Sequence, residues 1–357
     1  MQNKRDASVR VLEYQWNDPR NDPVAQSHMT LAADELARSP AWLPLDVQGS
    51  AVRLVRLDEA AYRAASFLDQ RLLAHGYAQH ICSASLLETA AAQLRPRAHF
   101  IFHIGHVGST LVSRLVGACP DFFVLREPQL LRALAMPSPA GAPSLGAALA
   151  LLARTWQPAQ RAVIKVTSFV SELAEPILAG SEQAMAVFMF VRPLAYLQGT
   201  LAGPASRLEN RHLAAARLRR LARRLDEGGG GPDPRAEGEC IAMSWLSEMT
   251  ALRQAAERFA SQVLWVDFDE FLREPVAGLR TIFHRLGGRL TDAELQALAS
   301  GPLMHQYSKA PEHAYDAALR REVLRQAERE HATEIRRGID WLHTTARRYP
   351  LAATVLQ

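Results

Sequence analysis

The chain has 357 residues, of which 48% are hydrophobic and 22% charged, and it carries a net charge of +4. That is enough chain to bury a large core, and the composition is that of an ordinary globular protein, which excludes a disordered or collagen-like polymer. No apolar run approaches the roughly 20 residues needed to span a bilayer. The opening residues, MQNKRDASVRVLEYQWNDP, have no apolar leader segment, so the expected location is cytoplasmic. Cys82, Cys119 and Cys240 are odd in number, far apart and outside any CxxC pattern. They read as free thiols of a reducing compartment. Arg217, Arg219, Arg220, Arg223 and Arg224 form a basic cluster. With no nucleic-acid-binding motif present, they read as a solvated helix face and no nucleic-acid partner is expected.

In chain order, residues 1–95 read as a mostly helical extension. Helices are expected near Thr30–Arg38, Asp58–His75 and His80–Leu94, with one short strand, Val52–Leu57. From Ala98, apolar runs at 98–104, 162–166, 184–191 and 262–267 alternate with helical patterns. Such alternation implies an α/β fold, a parallel sheet covered on both faces. PSPAGAP at 137–143 reads as a surface loop and GGGGPDP at 228–234 as a flexible break. The last 45 or so residues, rich in Arg and Glu, read as helical. The expected divisions are 1–95, an α/β domain over 96–310 and a helical segment over 311–357.

The most informative stretch is His99–Leu111, HFIFHIGHVGSTL. An apolar strand breaks into a turn holding Gly105, His106, Val107 and Gly108. Ser109 and Thr110 then open an apolar-periodic helix. Backbone N–H groups of a first helical turn point at an anion, and the helix dipole favours negative charge there. Gly108 lets the backbone approach the ligand, and the two hydroxyls add donors. The same pattern also serves simple helix capping. It is not a Walker loop, GxxxxGK[ST]. With Gly108 as the second glycine, His103 replaces the first and Ser109 replaces the lysine that a nucleotide kinase places on the β/γ-phosphates. His103 and His106 lack a convincing third ligand, so no metal is expected. Ser109, His106 and Glu127 do not make a hydrolase elbow, which needs GxSxG.

The Gly105–Thr110 loop resembles that of sulfotransferases that use 3′-phosphoadenosine 5′-phosphosulfate (PAPS), whose loop reads P-[KR]-S-G-[ST]-T. The Gly-Ser-Thr half matches, and His106 stands where the family has its basic residue. Cys119-Pro120-Asp121 followed by Leu125-Arg126-Glu127-Pro128 is similar to the family's HP-x(n)-E segment. Glu127 lies 21 residues after His106, a spacing closest to tyrosylprotein-type and bacterial sulfotransferases. Val163–Ser168, a strand ending in Lys165 and hydroxyls, resembles the second basic site. Val187–Pro193 with Thr200 resembles the 3′-phosphate motif, and an arginine fork with a hydroxyl suits a terminal phosphate. Val263–Gly287 is similar to a strand–turn–helix segment of the family. Read without the family, its Asp267 is a Walker-B-like Mg²⁺ ligand. Tyr307-Ser308-Lys309 sits where the family returns a loop over the cofactor.

The resemblance covers residues 98–290 and implies a P-loop NTPase-like three-layer sandwich with a central parallel sheet. It implies in-line sulfuryl transfer from PAPS as co-substrate, without a metal, to a hydroxyl or amine; the sequence leaves the acceptor open among small molecules, carbohydrates, peptides and lipids. Gly105, Val107, Gly108, Ser109 and Thr110 would hold the phosphosulfate, and Arg192 and Thr200 the 3′-phosphate. His106 and Lys165 would stabilise transferring charge, with Glu127 as general base. Two alternatives stand beside it: a phosphotransferase or NTPase with a degenerate loop, and a nucleotide-binding homologue without chemistry.

Overall fold

The computed structural model describes residues 31–136, 140–225, 232–306 and 316–356. The 307–309 segment and parts of the two glycine- and proline-rich loops lie outside the described residues. The described residues divide into two compact units, one of residues 31–190 and 255–306, the other of 191–254 and 316–356.

The first unit contains two sheets. The smaller is antiparallel, in the order β1 (Trp42–Gln48), β2 (Ala51–Arg56), β3 (Gln79–Ser83). Gly49, at φ +57, turns the hairpin between the first two strands, a position where only glycine is unstrained. Trp42, Val52 and Leu54 pack with Leu36, Leu87, Ala90 and Leu151 in one buried cluster. This sheet stands where mostly helix was expected. Residues 80–83 pair with β2 rather than starting a helix, and the helix begins at Ala84, capped by the Ser83 hydroxyl. The helix expected over 58–75 ends at Ala64, and a 3₁₀ turn follows at Gln70–His75.

The larger sheet is parallel and has five strands: β4 (Ala98–His103), β5 (Phe122–Arg126), β6 (Arg161–Lys165), β7 (Ala186–Phe190) and β8 (Val263–Asp267). Helices flank it, in agreement with the α/β class, a parallel sheet covered by helices, read from the sequence. Strands β4, β6, β7 and β8 fall on the apolar runs. The strand β5 was not read as one, although all five of its residues are buried. The spatial order is β5-β6-β4-β7-β8. From central β4 the chain travels outward to β5, returns to β6 and crosses to β7. The order therefore reverses at β4, and an open α/β sheet binds its ligand at the carboxyl ends of strands around such a reversal.

The second unit is helical: Pro193–Leu201, Pro204–Leu225, Glu237–Arg258 as far as residue 254, Ala317–Glu330, Ala332–Arg348 and Pro350–Thr354. Helix Glu237–Arg258 crosses Ala332–Arg348 closely at Gly238 and Gly338, where a Cβ on Gly338 would lie 2.7 Å from the Gly238 carbonyl oxygen. The arginine cluster is not one solvated face. Arg217 and Arg220 are buried, and Arg217 Nε donates to Glu248 Oε1 at 2.7 Å. Arg224 reaches the Ser247 carbonyl at 2.6 Å, while Arg219 and Arg223 remain exposed. No described helix is long and apolar enough to cross a membrane.

Candidate active site

The end of β4 leads into Ile104 and then the loop Gly105–Gly108, before helix Ser109–Gly117. Gly105, His106 and Gly108 have φ of +91, +55 and +64. Left-handed residues in a short loop ahead of a helix N-terminus are the backbone from which an anion nest can be built. Val107, fully buried, anchors the loop beneath, and Ser109 and Thr110 are buried at the helix start. Gly108 has a second constraint: a Cβ there would lie 2.0 Å from the Phe268 ring. The glycine therefore gives both the left-handed turn and the room for Phe268 to lie against the loop.

Register explains the next contact. Arg126 of β5 pairs with Lys165 of β6, which pairs with Ile101 of β4. Paired residues of a parallel sheet share a face, and so does His103, two residues beyond Ile101. Glu127, next after Arg126, would fall on the other face. Its backbone instead turns left-handed, at φ +52, with its N–H on the Lys165 carbonyl at 2.6 Å. The turn brings Oε1 of Glu127 into a hydrogen-bonded ion pair with the Lys165 ammonium. The side chain of Lys165 is 0% exposed and that of Glu127 16%, so the carboxylate alone reaches solvent. Lys165 is thus a sealed cation with a carboxylate partner, not a snorkelling one. His103 Nε2 lies 3.8 Å from the same carboxylate oxygen.

Among described non-glycine residues, those with positive φ are His106 and Glu127. Such backbone costs about 1–3 kcal/mol per residue and persists where the surroundings enforce it, most often at functional sites. Both were singled out from sequence.

The extension supplies a wall. Arg126, buried, donates to the carbonyls of Tyr62, Arg63 and Ala65 at 2.8, 2.6 and 2.8 Å. Burial, with Arg114 and Arg63 nearby, holds its guanidinium down at about 10. These bonds tie 62–65 to the end of β5, and Leu68 N–H reaches the Arg126 carbonyl at 2.7 Å. Phe67 is thereby held with its ring centroid 6.0 Å from Lys165 Nζ, while Arg71 stacks on the same ring at 3.7 Å. Phe67, Arg71 and the His103–Glu127 contact were missed from sequence. Only His103 carried a signal, through its closeness to His106.

Asp267 ends β8 and caps the following helix, accepting from Asp269 N–H at 2.9 Å and Glu270 N–H at 3.4 Å. Burial pushes its carboxyl up from the usual range. Its Oδ1 is held by the cap, and among the described residues no group of three or more His, Cys, Asp or Glu could hold a metal ion.

Arg192 and Thr200 belong to the second unit. Arg192 is exposed at the N-cap of helix Pro193–Leu201, and Thr200 is buried at 1% exposure near that helix's end. Buried hydroxyl oxygens of Thr110, Thr167 and Thr200 have no hydrogen-bond partner. An orphaned buried hydroxyl costs about 1–3 kcal/mol and calls for an explanation. Thr110 lies in the first turn of the helix after the loop, and Thr167 follows Lys165 by two residues. The glycine loop and the orphaned Thr110 hydroxyl at the start of the following helix suit an anionic group.

No family model matches the chain, and no curated protein matches it. Solved sulfotransferase structures are among those it resembles. A mouse sulfotransferase, SULT7A1 in complex with PAP, is 14% identical over 73% of this chain and 88% of its own, with a TM-score of 0.42. The sulfotransferase domain of the Synechococcus PCC 7002 olefin synthase is 16% identical over 71% and 96%, with a TM-score of 0.40. A sulfotransferase from Alicyclobacillus acidocaldarius is 16% identical over 70% and 96%, with a TM-score of 0.35.

Proposed function

We propose that the chain is a PAPS-dependent sulfotransferase acting on a hydroxyl or amine acceptor, with its transfer site at the carboxyl edge of the parallel sheet. The observation that carries this is the Glu127–Lys165 ion pair, held through a left-handed Glu127 beside a glycine nest that lacks a Walker lysine.

PAPS supplies an activated sulfuryl group and a leaving phosphate. Backbone N–H groups of residues 105–110 bind the phosphosulfate, with hydroxyls from Ser109 and Thr110. His106 donates to the sulfuryl oxygens as charge develops on them. Glu127, ionised beside Lys165, accepts the proton of the acceptor O–H or N–H as the new O–S or N–S bond forms. Once Glu127 is protonated, its hold on the Lys165 ammonium weakens, and that charge serves the leaving phosphate. Arg192 and Thr200 are assigned to the 3′-phosphate on the motif they match. The products are a sulfated acceptor, PAP and one proton.

PAP release from PAPS, with a panel of carbohydrate, peptide and small-molecule acceptors, tests this. Glu127→Gln keeps the shape and an acceptor oxygen for Lys165 but loses the base. Turnover is expected to fall about 10²–10⁴-fold with PAP affinity nearly unchanged. Wild-type-like turnover in this variant removes Glu127 from the chemistry.

A further inference from the structure

We infer that Thr167 is a further ligand-contacting residue of the transfer site, its hydroxyl donating a hydrogen bond to an oxygen of the transferring sulfuryl group. The inference rests on the proposed transfer reaction and adds to it a residue beyond those matched by motif.

Thr167 follows the last residue of β6 by two. Pairing runs on past that strand end, because the Val166 N–H donates to the Ile101 carbonyl at 3.1 Å. Thr167 is itself extended, at φ −76 and ψ 157. Alternate residues of extended backbone share a face, so Thr167 stands on the face of Lys165, about 7 Å further toward the carboxyl edge. Lys165 pairs with Ile101. The same register carried two residues on sets Thr167 level with His103, the last residue of β4. Thr167 thus belongs to the stretch between the Glu127–Lys165 pair and Gly105, where the anion-binding loop begins.

The Thr167 hydroxyl oxygen is closed to water and has no hydrogen-bond partner. Local structure does not use it. Thr167 is the N-cap residue of the 3₁₀ turn Ser168–Leu173, yet its side chain makes no cap bond. Ser83, Ser144 and Thr291 hold the same position on their helices, and each accepts from the helix backbone. At 167 the main chain closes the turn instead, with the Val170 N–H on the Thr167 carbonyl at 3.0 Å. A valine would fill the same volume in extended backbone without burying an unpaired hydroxyl. Threonine here keeps a donor that the fold leaves unspent. Ionised sulfuryl and phosphate oxygens only accept, so the hydroxyl donates, turning to the ligand about χ1 between staggered wells. The group in transit passes between the loop, which holds the leaving phosphate, and Glu127, which takes the acceptor's proton. A donor between those two meets the sulfuryl oxygens. The hydroxyl keeps its own proton, and no bond to it is made or broken.

The test compares wild type, Thr167→Val and Thr167→Ser as full-length chains. It measures turnover as PAP release from PAPS, PAP affinity by calorimetry, and the urea midpoint of the protein without ligand. Valine keeps the shape and loses the donor, whereas serine keeps the donor and loses a methyl group. Thr167→Val is expected to unfold at a midpoint no lower than that of wild type, because an unpaired buried hydroxyl is removed. It is expected to bind PAP, which lacks the sulfuryl group, within about twofold of wild type and to lose turnover at least tenfold. Thr167→Ser is expected to retain most of the turnover. A threonine that only fills space predicts the opposite order of the two variants. Wild-type turnover or a lowered midpoint in the Val variant, PAP affinity falling along with turnover, or an equal loss in the Ser variant would overturn the inference and leave the transferase reading standing. A wild type that neither binds PAP nor releases it from PAPS ends that reading, and the assignment of Thr167 ends with it.

Discussion

Gly108 is used twice, for its left-handed backbone and for its missing Cβ. An alanine there must take a φ of +64 and press into the Phe268 ring, combining backbone strain with overpacking. Gly108→Ala is therefore expected to cost about 2–4 kcal/mol in urea denaturation. A cost under 0.5 kcal/mol would mean that Phe268 is not seated on the loop. The Glu127–Lys165 pair gives an asymmetric expectation, because the ammonium is sealed and the carboxylate reaches solvent. Glu127→Ala strands a buried charge and is expected to destabilise by about 3–5 kcal/mol. Lys165→Met leaves a carboxylate that can keep water and is expected to cost less, about 1–3 kcal/mol. The reverse order in denaturation midpoints would contradict the burial pattern. The residue scale was the most legible in the sequence. A glycine turn with hydroxyls at a helix start is local chemistry and could be read directly, whereas the second constraint on Gly108 comes from Phe268, far away in the chain. His103 stood out only beside His106, and its approach to Glu127 depends on which strand ends lie side by side.

At the scale of elements, legibility divided by how local the cause was. Strands β4, β6, β7 and β8 are nearly continuous apolar runs because helices cover both faces, and they could be read directly. The antiparallel sheet could not. Gln79–Ser83 is held as a strand by pairing with β2 about 30 residues earlier, against a sequence that continues into a helix. Arg217 likewise read as solvent-facing because its partner, Glu248, lies 31 residues on. The amino end of β4 offers a pH test. His99 is 2% exposed, with Arg161 Nη1 2.8 Å from its Nε2. Burial first, then the Arg161 charge, pulls its imidazole down to about 4. The native state keeps His99 neutral while the unfolded chain takes up the proton below about 6.5. Between those values the unfolded state binds more protons, so stability falls as pH falls. The loss from pH 6.5 to 4 amounts to about 3 kcal/mol for this group, with His80, also lowered by burial, adding in the same direction. Denaturation at a series of pH values should give this slope, and His99→Gln should flatten it. An unchanged slope in the variant would assign it elsewhere.

For the whole molecule, the extension and the parallel sheet share one compact unit, and within it Arg126 binds three carbonyls of residues 62–65. Residues that read as an appended cap therefore furnish Phe67 beside Lys165. The second unit begins at residue 191, just after β7, and carries Arg192 and Thr200. The central claim is that this chain binds a nucleotide bearing a 3′-phosphate as the partner of a sulfuryl transfer. Thermal unfolding with PAP and with ADP tests it most directly, since ADP lacks that phosphate. PAP is expected to raise the melting temperature well above the ADP value, and Arg192→Ala is expected to erase most of that difference. Equal shifts with PAP and ADP in the wild-type protein would contradict the account.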